Sequence, residues 1–118
     1  MRAHRMLWWM LLLPAAAAAR PPIPEGTYAF RQRSAEHPQL PAHPLVARIR
    51  GTHIVLINRS RAAHMPLGVV AEGELMWHAK SKQWILGHDP ADRTADEVGG
   101  CSDGPEVVDL KQRVYWVC

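Results

Sequence analysis

The stretch LGVVAEGELMWH, residues 67–78, decides the fold class. Val69, Ala71, Gly73, Leu75 and Trp77 fall at alternate positions, and Val70, Glu72, Glu74, Met76 and His78 fall between them. A helix would set Glu72 and Glu74 on widely separated sides, whereas a strand puts them together on one face toward water. The segment therefore reads as a strand, with the Ala71–Leu75 set turned inward. Gly73 on that inner face marks a bend or bulge where the strand curls around a core.

The neighbouring segments repeat this chemistry. His53–Asn58 (HIVLIN) and Leu45–Arg50 flank Gly51-Thr52 and read as a tight hairpin, with Val46, Arg48 and Arg50 on one face and Ala47 and Ile49 on the other. Tyr28 and Phe30 alternate with Ala29 and Arg31 behind Gly26, as in a half-buried strand. AEHPQLPAHP, residues 35–44, carries three prolines and is a loop. After Trp77-His78 the polar turn Ala79–Lys82 leads into QWILG, residues 83–87, so Trp77 and Trp84 flank a second hairpin. Asp89 followed by Pro90 is a helix start, and Gly99-Gly100 is a stop, which predicts one short helix near residues 90–98. Glu106–Leu110 and Arg113–Cys118 complete the strands, joined at Lys111-Gln112.

Six or seven short strands and one helix make an all-β domain. A sheet this size must hide its edges, so the antiparallel meander is expected to close into a small barrel or a compact sandwich. The Gly26-x-Tyr28 opening and the meander with one short helix resemble small periplasmic lipocalin-like β-barrel proteins, including bacterial lysozyme inhibitors. That resemblance implies a barrel and a binding or inhibitory role.

The chain opens MRAHRMLWWMLLLPAAAAARPP. Arg2 and Arg5 precede an apolar run, Met6–Leu13, and small residues Ala15–Ala19 follow Pro14. This is the layout of a secretory signal peptide over residues 1–19. The run is about half the roughly 20 residues of a membrane span, so no integral span is expected after cleavage. Residues 20–25 form a Pro-rich arm, and residues 26–118 a single β domain. The Ala- and Arg-rich leader suggests a bacterial envelope protein, periplasmic or secreted.

Of 14 basic residues, Arg2 and Arg5 leave with the leader, against 11 acidic residues that all stay. The mature chain is nearly balanced, and its composition gives no reason to expect a nucleic-acid partner. Charge is nevertheless lopsided: residues 20–61 hold seven arginines and two glutamates, while the remainder is rich in acids. Arg48 and Arg50 on one strand face could form a basic patch, or the two halves could complement each other on adjacent strands.

Cys101, in EVGGCSDGP, could be a nucleophile or half of a disulfide with Cys118, the second of the two cysteines. A catalytic thiol needs a base held by a third group. The histidines are scattered and match no catalytic signature. Two cysteines in a small chain bound for an oxidising compartment favour a Cys101–Cys118 bridge. No His-x-His or Cys-x₂-Cys pair is present, so neither a metal site nor a cofactor is expected. Glu72 and Glu74 form a carboxylate pair on an exposed face.

Met76, Trp77, His78 and Trp84 are the candidate binding patch, on the argument that aromatic residues beside an outward histidine bind a protein, glycan or small ligand. The leading expectation is a non-enzymatic secreted envelope protein that binds such a partner. Its alternatives are an inhibitor of a cell-wall-degrading enzyme, acting through a rigid loop such as Lys80–Lys82 or Ser102–Gly104, a small hydrolase in which His78 or His88 meets Asp103, and a purely structural envelope component.

Overall fold

The computed structural model describes residues 19–61 and 65–118. The signal-peptide reading falls on residues 1–19 and so lies, except for Ala19, outside the described residues. Among the described residues no helix is long and apolar enough to cross a membrane.

Seven strands follow one another as a meander: β1 Gly26–Ser34, β2 His43–Arg50, β3 His53–Asn58, β4 Gly68–His78, β5 Gln83–Gly87, β6 Glu106–Asp109 and β7 Val114–Val117. They form a closed barrel in sequence order. Each consecutive pair is antiparallel. Because the number of strands is odd, the first and the last run in the same direction, and the seam is a parallel pairing from Arg31↔Val114 to Ser34↔Val117. Closure leaves no long unpaired edge, and of the barrel and the compact sandwich that the sequence allowed, the structure is the barrel.

The interior is solid. Phe30, Leu45, Ile49, Ile54, Leu56, Leu75, Leu86, Val108, Leu110 and Tyr115 are buried in one cluster. Alternation along each strand supplies these residues: Leu45, Ala47 and Ile49 of β2 point in, and Arg48 and Arg50 point out and are exposed. Pro44 falls inside β2 rather than in the preceding loop. It lies beyond Val46↔Ile57, the last β2–β3 pair, so only β1 borders it and its missing N–H is tolerated.

The β4 stretch is a strand, with one change of phase. Leu56 pairs with Ala71 but Ile57 pairs with Val69, so Val70 is an extra residue, and the bulge sits there rather than at Gly73. The bulge turns Val69 outward, away from the inner set to which simple alternation assigns it, and its exposure is 60%. Gly73 serves close packing instead. A Cβ on it would lie 2.7 Å from the Gly87 carbonyl oxygen, so only hydrogen fits where β4 meets β5.

Asn58 is buried at the upper end of the barrel, where β1, β3 and β7 end. Its Oδ1 lies 2.9 Å from His43 Nε2 and accepts from Ser60 N–H, while Nδ2 donates to the carbonyls of Met65 and Pro66. The side chain thus replaces strand pairing for the β3–β4 connection.

The helix predicted near residues 90–98 is a single 3₁₀ segment, Pro90–Thr94, with the expected Asp89 cap and an Asp92 carboxylate reaching back to the His88 and Asp89 amides. It ends early because Ala95 takes an extended conformation. From there the long β5–β6 connection drapes over the outside of the barrel. Val98 and Trp116 pack on Met76, Ile85 and Val107 to form a second, smaller core. Gly99 and Gly100 have φ of +67° and +58°, a consecutive left-handed pair that turns the chain back to β6.

Cys101 and Cys118 are joined in a disulfide with Cα atoms 4.8 Å apart. It fastens the draped connection to the end of β7, where Ser34 Oγ also donates to the Cys118 carbonyl at 2.7 Å. Closing a loop of this size is worth about 3 kcal/mol in the chain-entropy model. The double variant Cys101→Ser/Cys118→Ser is therefore expected to unfold at a clearly lower urea midpoint, with a stability loss of about 3 kcal/mol. An unchanged midpoint would mean that the drape is held by packing alone.

Candidate functional site

The four residues of the candidate patch separate into two environments. Met76 and His78 are not exposed: their exposures are 7% and 1%. Alternation places them on the outer face of β4, as expected, but the draped connection covers that face at this end. His78 Nδ1 accepts from the Ser81 amide at 3.2 Å and faces the Ser81 hydroxyl at 2.7 Å, so the ring proton sits on Nε2 and is donated to the Ala95 carbonyl at 2.7 Å. His78 is thus a structural clamp for the drape. Both ring nitrogens are occupied, and no hydrogen bond among the described residues joins His78 or His88 to Asp103.

Trp77 and Trp84 are brought together. The turn between β4 and β5 sets them directly opposite in the ladder. Their rings meet edge to face with centroids 5.4 Å apart and planes at 61°. Both remain half-buried at the lower end of the barrel.

The space beside them comes from a lapse in pairing. β5 and β6 pair only at Ile85↔Val107 and Leu86↔Glu106. Below that point β6 continues with β7, through Val108↔Tyr115 and Asp109↔Val114, while β5 stays with β4. The two strands diverge and leave a groove of about 290 Å³. Trp77, Lys82, Gln83 and Trp84 line it on one side, Val108–Lys111 on the other, and Pro22 of the N-terminal arm joins them. This is near the lower end of the range of ligand sites, an apolar cleft with a few polar groups at the rim.

The arm is anchored beside this groove. Ile23 packs against the main core, and Tyr28 Oη donates to the Pro24 carbonyl at 2.6 Å. The Arg113 guanidinium stacks 4.9 Å from the centre of the Tyr28 ring. The sequence marks Lys82 only as part of the Lys80–Lys82 loop, and it does not mark Gln83, Lys111 or Pro22 as binding residues. Lys82 and Gln83 could have been found as neighbours of the Trp77–Trp84 hairpin. Lys111 and Pro22 come from distant segments and leave no local signal.

A second polar cluster lies on the outer face. His53 of β3 stands between the two carboxylates of β4, with Nε2 2.7 Å from Glu72 and Nδ1 2.7 Å from Glu74. Thr52 Oγ1 also donates to Glu74. Each imidazole nitrogen addresses a different carboxylate, so the donors surround the ring rather than converge on one point, as a metal would require. The group of possible metal ligands that does converge among the described residues is Glu36, Cys101 and Cys118, whose sulfurs are bonded to each other. Inside the barrel, Tyr115 donates to the Glu106 carboxylate. Burial first, then that hydrogen bond and the nearby negative charge, push the phenol well above its ordinary value.

No family model matches the chain, and no curated protein or solved structure does either.

The hydrogen bonds that His53 donates to Glu72 and Glu74 raise its pKa above 6.5. A raised pKa means that the clamp stabilises the fold fully below the unfolded value and is lost as pH rises through the folded one. The His53 side chain is 44% exposed, so the effect is screened and limited to about 1 kcal/mol. Urea midpoints measured from pH 5 to about 9 should fall more for the native protein than for His53→Gln. Parallel curves would show that the clamp contributes nothing.

Proposed function

We propose that this protein is a non-enzymatic binding protein, secreted to the bacterial envelope, that holds its ligand in the Trp77–Trp84 groove. The observation that carries the reading is the groove itself, where paired indoles border an opening between β5 and β6 while the barrel interior is filled by its own side chains. A ligand of this protein is therefore held on the rim. The rim groups, Lys82, Gln83 and Lys111, are suited to orienting a bound molecule. The leader-like opening of the sequence and the disulfide support an oxidising, extracytoplasmic setting. A protein segment, a glycan and a small apolar ligand all remain within this class. Inhibition of a wall-degrading enzyme would use the same end of the barrel, through the exposed Lys80–Lys82 turn.

Intrinsic tryptophan emission reads this proposal directly. Peptidoglycan fragments, oligosaccharides, peptides and lysozyme are titrated against the native protein and Trp84→Ala. Saturable binding should weaken at least about tenfold in the variant, since a truncated aromatic anchor commonly costs about 2 kcal/mol. A far-UV spectrum like the native one shows that the barrel is intact. Binding that ignores the substitution would contradict the assignment. So would turnover of a panel substrate that disappears when one histidine or aspartate is replaced.

A further inference from the structure

A short peptide segment of the chain itself forms part of the groove wall, and the character of that segment suggests the ligand. Pro22 lines the groove together with Trp77 and Trp84. It belongs to the arm Arg20-Pro-Pro-Ile-Pro-Glu25. Ile23 and the Tyr28–Pro24 hydrogen bond fasten the arm on one side of Pro22, while Pro22 itself stays exposed. Proline rings pack well on indole faces, and an extended proline-rich chain comes preformed, with little conformational entropy left to lose.

Charge at the rim narrows the choice. Lys80 is engaged with Asp96 at 3.6 Å, but Lys82 and Lys111, on opposite walls, form no ion pair among the described residues. The acid in the groove, Asp109, accepts from the Gln112 amide at 2.8 Å and keeps its charge, but it is outnumbered by the two lysines. They complement an acidic residue beside the prolines, and in the arm Glu25 follows Pro24 directly.

Resting on the reading that the groove is the binding site, we propose that its ligand is an extended proline-rich segment of a partner protein with an acidic residue beside its prolines. The chain's own arm is a partial occupant that the partner displaces. The arm thus lowers apparent affinity by the fraction of time it fills the groove.

The probe is a fluorescein-labelled peptide of sequence RPPIPE, followed by anisotropy with the oxidised protein. Pro22→Gly leaves Ile23 and Tyr28 in place and weakens the internal competitor. If the arm fills the groove about nine-tenths of the time, the variant binds about tenfold more tightly than the native protein. Lys82→Glu/Lys111→Glu, which changes only exposed side chains, should weaken binding at least about tenfold. A peptide ending in lysine, or one with alanine for proline, should bind correspondingly worse.

Absence of saturable binding to both the native protein and Pro22→Gly at about 1 mM peptide would overturn the proposal. If a saccharide or apolar ligand meanwhile binds in a Trp84-dependent way, the groove reading stands and the peptide class alone fails. Peptide binding that survives Trp84→Ala sinks both. A dimer that the free peptide dissolves would replace the partner protein with the arm of a second copy and so overturn the proposal as stated.

Discussion

The parallel seam between β1 and β7 is the constraint on which the rest of this structure depends. Seven strands in simple succession end up running the same way at first and last, and only a parallel ladder can close them. Closing the sheet removes its edges and fixes a small interior. A circle this narrow has room for its own side chains and little else. Phe30, Leu75, Leu86 and Tyr115 take that room, and the proposed ligand groove lies instead where the ladder is incomplete. The short β5–β6 pairing supplies such a place, and the two tryptophans stand at it.

A second layer follows from the same geometry. The β5–β6 connection is far longer than the turn a meander needs, and it folds down over the outer faces of β4 and β5. There it buries Met76 and Ile85 and takes the His78 imidazole into a fully satisfied pair of hydrogen bonds. The disulfide holds its return. Among the described residues, the two buried polar residues, Asn58 and His78, both find partners, whereas Arg33 Nε is buried without one. Glu72 and Glu74, beyond the reach of the drape, stay half-exposed and gather His53 between them.

Strand alternation made the all-β class legible, while the choice between barrel and sandwich was left open. In LGVVAEGELMWH the acids must share a side, and only a strand permits it. Hairpin arithmetic placed Trp77 opposite Trp84, since both depend on one short turn. The cysteine pair was legible because a small domain with two thiols offers a single intramolecular bridge. What escaped is non-local. Val69 is on the outer side because Val70 bulges, and nothing in a run of valines marks which one will be extra. Met76 and His78 are covered by a segment about 20 residues away, and an outward position says nothing of what later folds across it. The groove itself arises from where two ladders stop, and Pro22 and Lys111 reach it from opposite ends of the chain.

The central claim is that ligand is held at the splayed β5–β6 rim and not inside the barrel or under the drape. Three indoles among the described residues report on it: Trp77 and Trp84 at the groove, and Trp116 away from it, packed against the second core beneath Arg33. The direct measurement is a nitrogen–proton correlation spectrum of the indole groups during titration with the RPPIPE peptide. The account predicts that the Trp77 and Trp84 signals move together and saturate while Trp116 stays fixed. Movement of Trp116, with the other two unchanged, would contradict it.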